Sequence, residues 1–104
     1  MTAHPRILCI GGHDPTGGAG IQADIETVTA LGGRAFSLVT CLTAQDTHDV
    51  AAILPTPPEA FARQAERLLG DIRVDAIKLG IQGSAEIIAL VAELLQGFAG
   101  PVVL

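Results

Sequence analysis

Short apolar runs alternate along this chain with longer segments of helical spacing. The runs are rich in β-branched residues and fall at 6–10, 35–41, 50–54, 76–79 and 101–104. Between several of them, apolar residues recur every three or four positions, as on one face of a helix. Because strands that alternate with helices are typical of βαβ units, the pattern predicts an α/β fold with a mostly parallel central sheet.

Two helices are predicted in the first two thirds of the chain. The first spans 20–31, and Gly32 supplies the residue that a left-handed helix C-cap needs. The second starts at Thr56, whose hydroxyl can cap it. Pro57-Pro58-Glu59 then suits a first helical turn, and the helix should end just before Gly70.

The last third predicts one more helix and one more strand. Ser84 is expected to cap the helix, which ends near Gly97. The run at 101–104 predicts the opening of another buried parallel strand. No repeat, low-complexity tract or linker divides residues 1–104, so we expect them to form part of a single domain that is truncated within that strand.

Composition and charge narrow the classes of function. The 104 residues are 49% hydrophobic, which suffices for one compact core. Their formal charge is −5 and they include no Trp or Tyr. Nucleic acids and anionic membranes attract clustered Lys and Arg, and single strands also stack on aromatic residues, so neither partner is predicted. The apolar run at 7–10 is too short for a signal peptide or a membrane span, which predicts a cytoplasmic protein.

The cysteines and histidines do not form a recognisable metal or redox motif. Cys9 and Cys41 lie in apolar runs, so we expect small core residues without a disulfide. A reactive thiol would need a partly exposed, electropositive setting. His4, His13 and His48 lack the spacing of metal ligands, and no metal site is predicted.

The candidate chemistry lies in the glycine-rich segment 11–24, which reads GGHDPTGGAGIQAD. The segment follows the carboxyl end of a predicted strand, where open α/β sheets bind ligands. Its glycines allow close approach of the backbone, and the helix start beyond them aims N–H groups at the crevice. The segment therefore predicts a small-molecule site, and an ordinary flexible loop is the alternative.

Two general phosphate-binding motifs fit this segment poorly. A P-loop requires Lys and Ser or Thr where Gly18-Ala19 stands. The letters at 18–23 match a dinucleotide fingerprint, but a first strand that ends near Ile10 leaves no tight turn, and no acid follows the second strand at Cys41. A nicotinamide-dependent Rossmann enzyme is kept as the weakest alternative.

The segment resembles the signature G-(S/T/H)-D-(P/S)-(S/T)-G-G-A-G-I-Q-A-D of the hydroxymethylpyrimidine/phosphomethylpyrimidine kinases. The likeness continues through TCLTAQDT at 40–47, similar to the family's T-A-x-x-A-Q-N-T, and KLGI at 78–81, similar to K-I-G-M. Thr43 stands where the family usually has Val, Asp46 where it has Asn, and Ile81 where it has Met. The resemblance implies a three-layer ribokinase-like fold, of which this chain is the amino-terminal part.

The resemblance also implies a two-step phosphotransferase of thiamine biosynthesis. ATP, with Mg²⁺, would phosphorylate hydroxymethylpyrimidine and then its monophosphate. The residues implied for the pyrimidine site are Gly12, Ala19, Asp24, Thr43, Gln45 and Ile81. For Gln45 the chemistry agrees, because its amide can accept from the amino group and donate to a ring nitrogen of an aminopyrimidine. A surface Gln, and an Asp24 that serves its helix alone, are the structural alternatives.

No catalytic residue is assigned to this chain. In the family that it resembles, the catalytic base is a Cys in a G-T-G-C motif, and the printed sequence has no such motif. We therefore expect the ATP site to lie outside these residues, and the chain alone to be inactive. A pyridoxal-type kinase, a non-catalytic ligand-binding fragment, a homodimer and a fusion to other thiamine-pathway domains stay open.

Overall fold

A five-stranded sheet forms the centre of the protein in the computed structural model, which describes residues 4–104. The strands are β1 (Arg6–His13), β2 (Arg34–Gln45), β3 (Val50–Pro55), β4 (Ala76–Leu79) and β5 (Val102–Val103). Their order across the sheet is β3-β2-β1-β4-β5. Only the pair β2 and β3 is antiparallel. The predicted α/β fold with a mostly parallel sheet is confirmed.

Three helices cover the sheet on its two faces. They are α1 (Gly20–Ala30), α2 (Pro58–Asp71) and α3 (Ala85–Gln96). The main core lies under α2 and α3 and consists of Leu8, Ile10, Leu38, Phe61, Val74, Ile77, Ile87 and Val91. Since side chains alternate along a strand, Cys9 between two of these core residues faces α1 instead. Within residues 4–104, none of the helices combines the length and the apolar character needed to cross a membrane.

Both central strands run further than predicted. β1 was expected to end near Ile10, but it continues to His13, with Gly12 paired to Cys41 across a register shift. β2 was expected to end at Cys41, but it continues to Gln45 because its last residues pair with β3. The polar ends of the two strands are therefore part of the sheet instead of loop.

The predicted helix ends are partly correct. Gly32 has a φ of +90°, as a left-handed C-cap requires, and Ser84 Oγ accepts the N–H of Ile87 at 3.2 Å. The predicted cap at Thr56 is wrong, because its hydroxyl donates to the carbonyl of Val39 at 2.8 Å instead. Gly70 does not close α2 but lies inside its last turn, where one glycine costs the helix only about 1 kcal/mol.

The last strand is placed as predicted, and its residues are exposed. β5 pairs with β4 in parallel, with Val103 opposite Lys78. Val102 and Val103 are 42% and 57% exposed. This exposure agrees with the expectation of an uncovered strand, since β5 pairs with β4 alone among residues 4–104.

Candidate functional site

Three connecting segments meet at the carboxyl edge of the parallel strands. They are the loop 14–19 after β1, the hairpin between β2 and β3, and the loop 80–84 after β4. The N–H of Gly80 donates to the carbonyl of Ile10 at 2.7 Å, which keeps the ends of β4 and β1 together. This is the edge at which open α/β sheets bind ligands.

Asp14 organises the loop 14–19 from a buried position. One carboxylate oxygen accepts the N–H of Thr16 at 2.8 Å and its hydroxyl at 2.9 Å, and the other accepts the N–H of Ala19 at 3.1 Å. These hydrogen bonds, that from the Thr16 N–H above all, hold the pKa of Asp14 below its ordinary value. The loop is therefore an ordered structure built on a carboxylate, in contrast to a merely flexible connection.

Gly12 is the point at which these segments pack most closely. A Cβ atom there would lie 2.7 Å from Cys41 Sγ and 2.8 Å from Ile81 Cγ2. Gly20 approaches from the other side, next to Ala19, and contacts the carbonyl oxygen of Gly12 so closely that a Cβ atom would overlap it. Three of the residues implied for the pyrimidine site thus lie around one point of β1.

Thr43 and Gln45 form a hydrogen-bonded pair beside this point. Thr43 Oγ1 donates to the carbonyl of His13 at 2.7 Å and accepts from Gln45 Nε2 at 2.6 Å. The chain of hydrogen bonds links the end of β1 to the end of β2. Gln45 is half-buried there, so its amide is both held and accessible.

Asp24 forms an ion pair that lies beside the loop after β4. Its carboxylate pairs with Lys78 Nζ, with N–O distances of 2.9 Å and 3.0 Å. The backbone of Lys78 is opposite Cys9 in the sheet, but its side chain extends toward the carboxyl edge, where a Cβ atom at Gly80 would lie 3.7 Å from Nζ. The structure thus assigns Asp24 a partner that joins α1 to β4, and its role toward substrate stays a prediction.

The two cysteines are buried and free. Burial raises the pKa of the Cys9 thiol, and the charge of Asp24 raises it further against a smaller opposite effect of Lys78. Cys9 is therefore a protonated core residue. The prediction that both cysteines are small core residues is confirmed.

Gln82 is a feature of the edge that the sequence did not reveal. Its Nε2 donates to the carbonyl of Gly80 at 2.7 Å, while its buried Oε1 has no hydrogen-bond partner among residues 4–104. The only signal was a polar residue shortly after a predicted strand. The neighbouring Ile81 is held by the hydroxyl of Thr40, which donates to its carbonyl at 2.6 Å.

Other candidate sites are weaker. A cavity of about 750 Å³ lies at the opposite, amino edge of the strands, between Asp75 and Phe98. Ligands of open α/β sheets bind at the carboxyl edge, so this volume is not taken as the site. Across the part of the chain that the structure describes, no three His, Cys, Asp or Glu side chains lie close enough together to hold a metal ion.

Known families and curated proteins are similar to this chain over nearly its whole length. The family described as Phosphomethylpyrimidine kinase matches residues 14–104. The thiamine biosynthesis multifunctional protein ThiED of Corynebacterium glutamicum is 53% identical over 102 residues, which are 96% of this chain and 13% of that protein. The hydroxymethylpyrimidine/phosphomethylpyrimidine kinase of Streptomyces coelicolor is 43% identical over 95% of this chain and 37% of its own length. The chain thus spans well under half the length of these relatives.

Solved structures agree with this similarity. Phosphomethylpyrimidine kinase from Clostridium difficile 630 superimposes with a TM-score of 0.87 at 38% identity, over 95% of this chain and 44% of that one. Pyridoxal kinase from Staphylococcus aureus, in complex with AMP-PCP and pyridoxal, gives a TM-score of 0.84 at 32% identity, over 97% and 39%. Both neighbours are kinases, and the pyridoxal kinase is the more distant in sequence.

Proposed function

Because this chain belongs to the phosphomethylpyrimidine kinase family, we propose that it forms the pyrimidine-binding part of a thiamine-pathway kinase. The reaction is the ATP-dependent phosphorylation of hydroxymethylpyrimidine and then of its monophosphate. Family membership and the ribokinase-like fold agree with the resemblance carried by the segments 11–24, 40–47 and 78–81. The activity itself is proposed, since the chain covers only part of its relatives.

The observation that carries the proposal is the position of Gln45. Its half-buried amide lies at the carboxyl edge of the sheet, in a group with Gly12, Thr43 and Ile81. An aminopyrimidine offers an N–H donor beside a ring-nitrogen acceptor, and a primary amide offers the complementary pair. We propose that Ile81, which is 47% exposed, supplies apolar contact to the ring and Ala19 the neighbouring loop backbone.

We propose that ATP and Mg²⁺ bind outside the described residues. The S. aureus neighbour was solved with AMP-PCP, an ATP analogue. In residues 4–104, however, no cluster of carboxylates fits Mg²⁺. The printed sequence also lacks the G-T-G-C motif of the kinases that it resembles. No residue of this chain is therefore assigned to ATP, to the metal or to catalysis, and we expect pyrimidine binding by the chain without turnover.

Two other functions have less support than the pyrimidine kinase. A pyridoxal-type kinase shares the fold, but the solved pyridoxal kinase of S. aureus is 32% identical to this chain, against 43% for the pyrimidine kinase of S. coelicolor. A nicotinamide-dependent enzyme would use the glycines at 18–23 in a tight turn after β1, yet the loop 14–19 is wound around Asp14. A cytoplasmic location and a homodimer stay predictions.

The test is a calorimetric titration of the protein with hydroxymethylpyrimidine, pyridoxal and NAD⁺ in parallel. The proposal expects the pyrimidine to bind at least about tenfold more tightly than pyridoxal, a difference of about 1.4 kcal/mol. Tighter binding of pyridoxal would contradict the proposed substrate and indicate a pyridoxal-type kinase. Binding of NAD⁺ alone would contradict the proposed class of enzyme. A parallel assay for phosphorylation of the pyrimidine from ATP should give no product with residues 1–104.

A further inference from the structure

We infer that Thr43 is a specificity-determining residue: its hydroxyl fixes the orientation of the Gln45 amide, so that the site selects a ring substituent that donates a hydrogen bond. The inference rests on the proposed function and deepens it. It concerns the side-chain pair at the end of β2, where Thr43 stands in place of the Val usual in the kinases that the sequence resembles.

The orientation follows from the number of protons available. The partner of Thr43 Oγ1 on β1 is the carbonyl oxygen of His13, at 2.7 Å, and a carbonyl oxygen can only accept. The single hydroxyl proton of Thr43 is therefore used. The oxygen of Thr43 then has only lone pairs to offer the side chain of Gln45 at 2.6 Å, so the group facing it must be the NH₂. The O and N atoms of an amide are nearly identical in shape, so the hydrogen-bond partners decide its orientation.

The same reasoning defines what Gln45 presents to a ligand. Within residues 4–104, its only side-chain hydrogen bond is the one to Thr43. Its Oε1 points away from Thr43 as a free acceptor, and one amide proton is left to donate. A ring with an amino group next to a ring nitrogen matches this pair. A ring with an oxo group next to a ring N–H presents the reverse pattern, and in that pairing like groups would face each other.

Other threonines in or next to the sheet show that this arrangement is specific to Thr43. Thr40 and Thr56 also donate to backbone carbonyls, at 2.6 Å and 2.8 Å. Neither of them accepts a hydrogen bond from a side chain among the described residues. Valine at position 43 would keep the shape of the side chain and lose both hydrogen bonds. The amide of Gln45 could then rotate by half a turn and accept either ring pattern.

The test compares the 4-amino and the 4-oxo form of hydroxymethylpyrimidine as ligands of the wild type and of four variants. Thr43→Val removes the hydroxyl, Thr43→Ala repeats the removal if valine disturbs folding, and Thr43→Ser restores the hydroxyl. Thr29→Val is the matched control, because Thr29 is exposed on α1. We expect a preference for the amino form of roughly 10- to 100-fold in the wild type, Thr43→Ser and Thr29→Val. In Thr43→Val and Thr43→Ala, this ratio of the two dissociation constants should be about tenfold smaller.

A second readout needs no ligand. In the free protein, NMR should show slower solvent exchange of one Gln45 side-chain NH₂ proton in the wild type and Thr43→Ser, and faster exchange in Thr43→Val. If the wild type binds neither pyrimidine, the proposed function fails, and the exchange measurement still decides the orientation of the amide. An unchanged preference ratio, or an unchanged exchange rate of the Gln45 amide in Thr43→Val, would overturn the inference.

Discussion

Gly20 opens α1 directly against the carbonyl oxygen of Gly12 in β1, with no room for a side chain between them. Gly20 also has a φ of +68°, in the region that L residues with a Cβ atom rarely adopt. The first helix therefore starts as close to the first strand as two backbones allow. This contact fixes the return of the loop 14–19 to the sheet and places Ala19 beside Gly12.

Gly20→Ala should lower the free energy of unfolding by more than about 1 kcal/mol, because the substitution adds both left-handed strain and an overlap with backbone. Gly18→Ala is the matched control. A Cβ atom at Gly18 would be 3.4 Å from the nearest atom, Thr16 Oγ1, and Gly18 has no positive φ. Its effect should stay within about 0.5 kcal/mol. Urea denaturation of both variants measures the difference. Equal losses in the free energy of unfolding would show that the close contact at Gly20 does not make the substitution there more costly.

Stability should depend on the ionisation of Asp14. Hydrogen bonds to its carboxylate lower the pKa in the folded state, so its contribution is complete above the unfolded pKa of about 3.9. The contribution is lost as pH falls from there through the lower pKa of the folded protein. Asp14→Asn should therefore be less stable than the wild type at pH 7, and the difference should shrink below about pH 4. Denaturation at pH 7, 4 and 3 provides the check, and a gap that stays constant or widens with acid speaks against this role.

The pair of Asp24 and Lys78 should couple α1 to β4 with a modest energy. Their side chains are 14% and 35% exposed, so solvent weakens the attraction. A double-mutant cycle with Asp24→Asn and Lys78→Met should give a coupling of about 0.5–1 kcal/mol that decreases with salt. A coupling energy near zero would show that this ion pair does not stabilise the contact between α1 and β4. If Asp24 also binds substrate, as predicted, Asp24→Asn should lower the affinity for pyrimidine in a way that Lys78→Met does not.

The sequence predicts the elements of this fold better than their ends. Apolar runs and helical spacing identify each strand and helix among residues 4–104, and the bounds of β4 are correct. The ends of β1 and β2 were missed because Gly11-Gly12 and Thr43 to Gln45 have the composition of loops. There, tertiary contacts decide: Cys41 and Ile81 leave no room for a side chain at Gly12, and pairing with β3 extends β2.

The sequence names the residues of the proposed site, but it does not reveal their contacts. The glycine-rich segment and Gln45 carry the signal in the sequence, since residue type and order suffice to indicate a ligand loop. The hydroxyl of Thr43 gave no such signal, because its role depends on the carbonyl of His13 on another strand. The partner of Asp24 was equally hidden, since Lys78 follows it by 54 positions.

The proposed pyrimidine site at the carboxyl edge is tested most directly by the affinity of Gln45→Ala for hydroxymethylpyrimidine, measured by calorimetry. The loss of both polar groups should weaken binding by about 1–3 kcal/mol, roughly a 5- to 150-fold increase in Kd. Gln64→Ala, on the exposed side of α2, is the matched control and should leave Kd unchanged. A Kd of Gln45→Ala equal to that of the wild type, with both proteins folded, would contradict a pyrimidine site built on this residue.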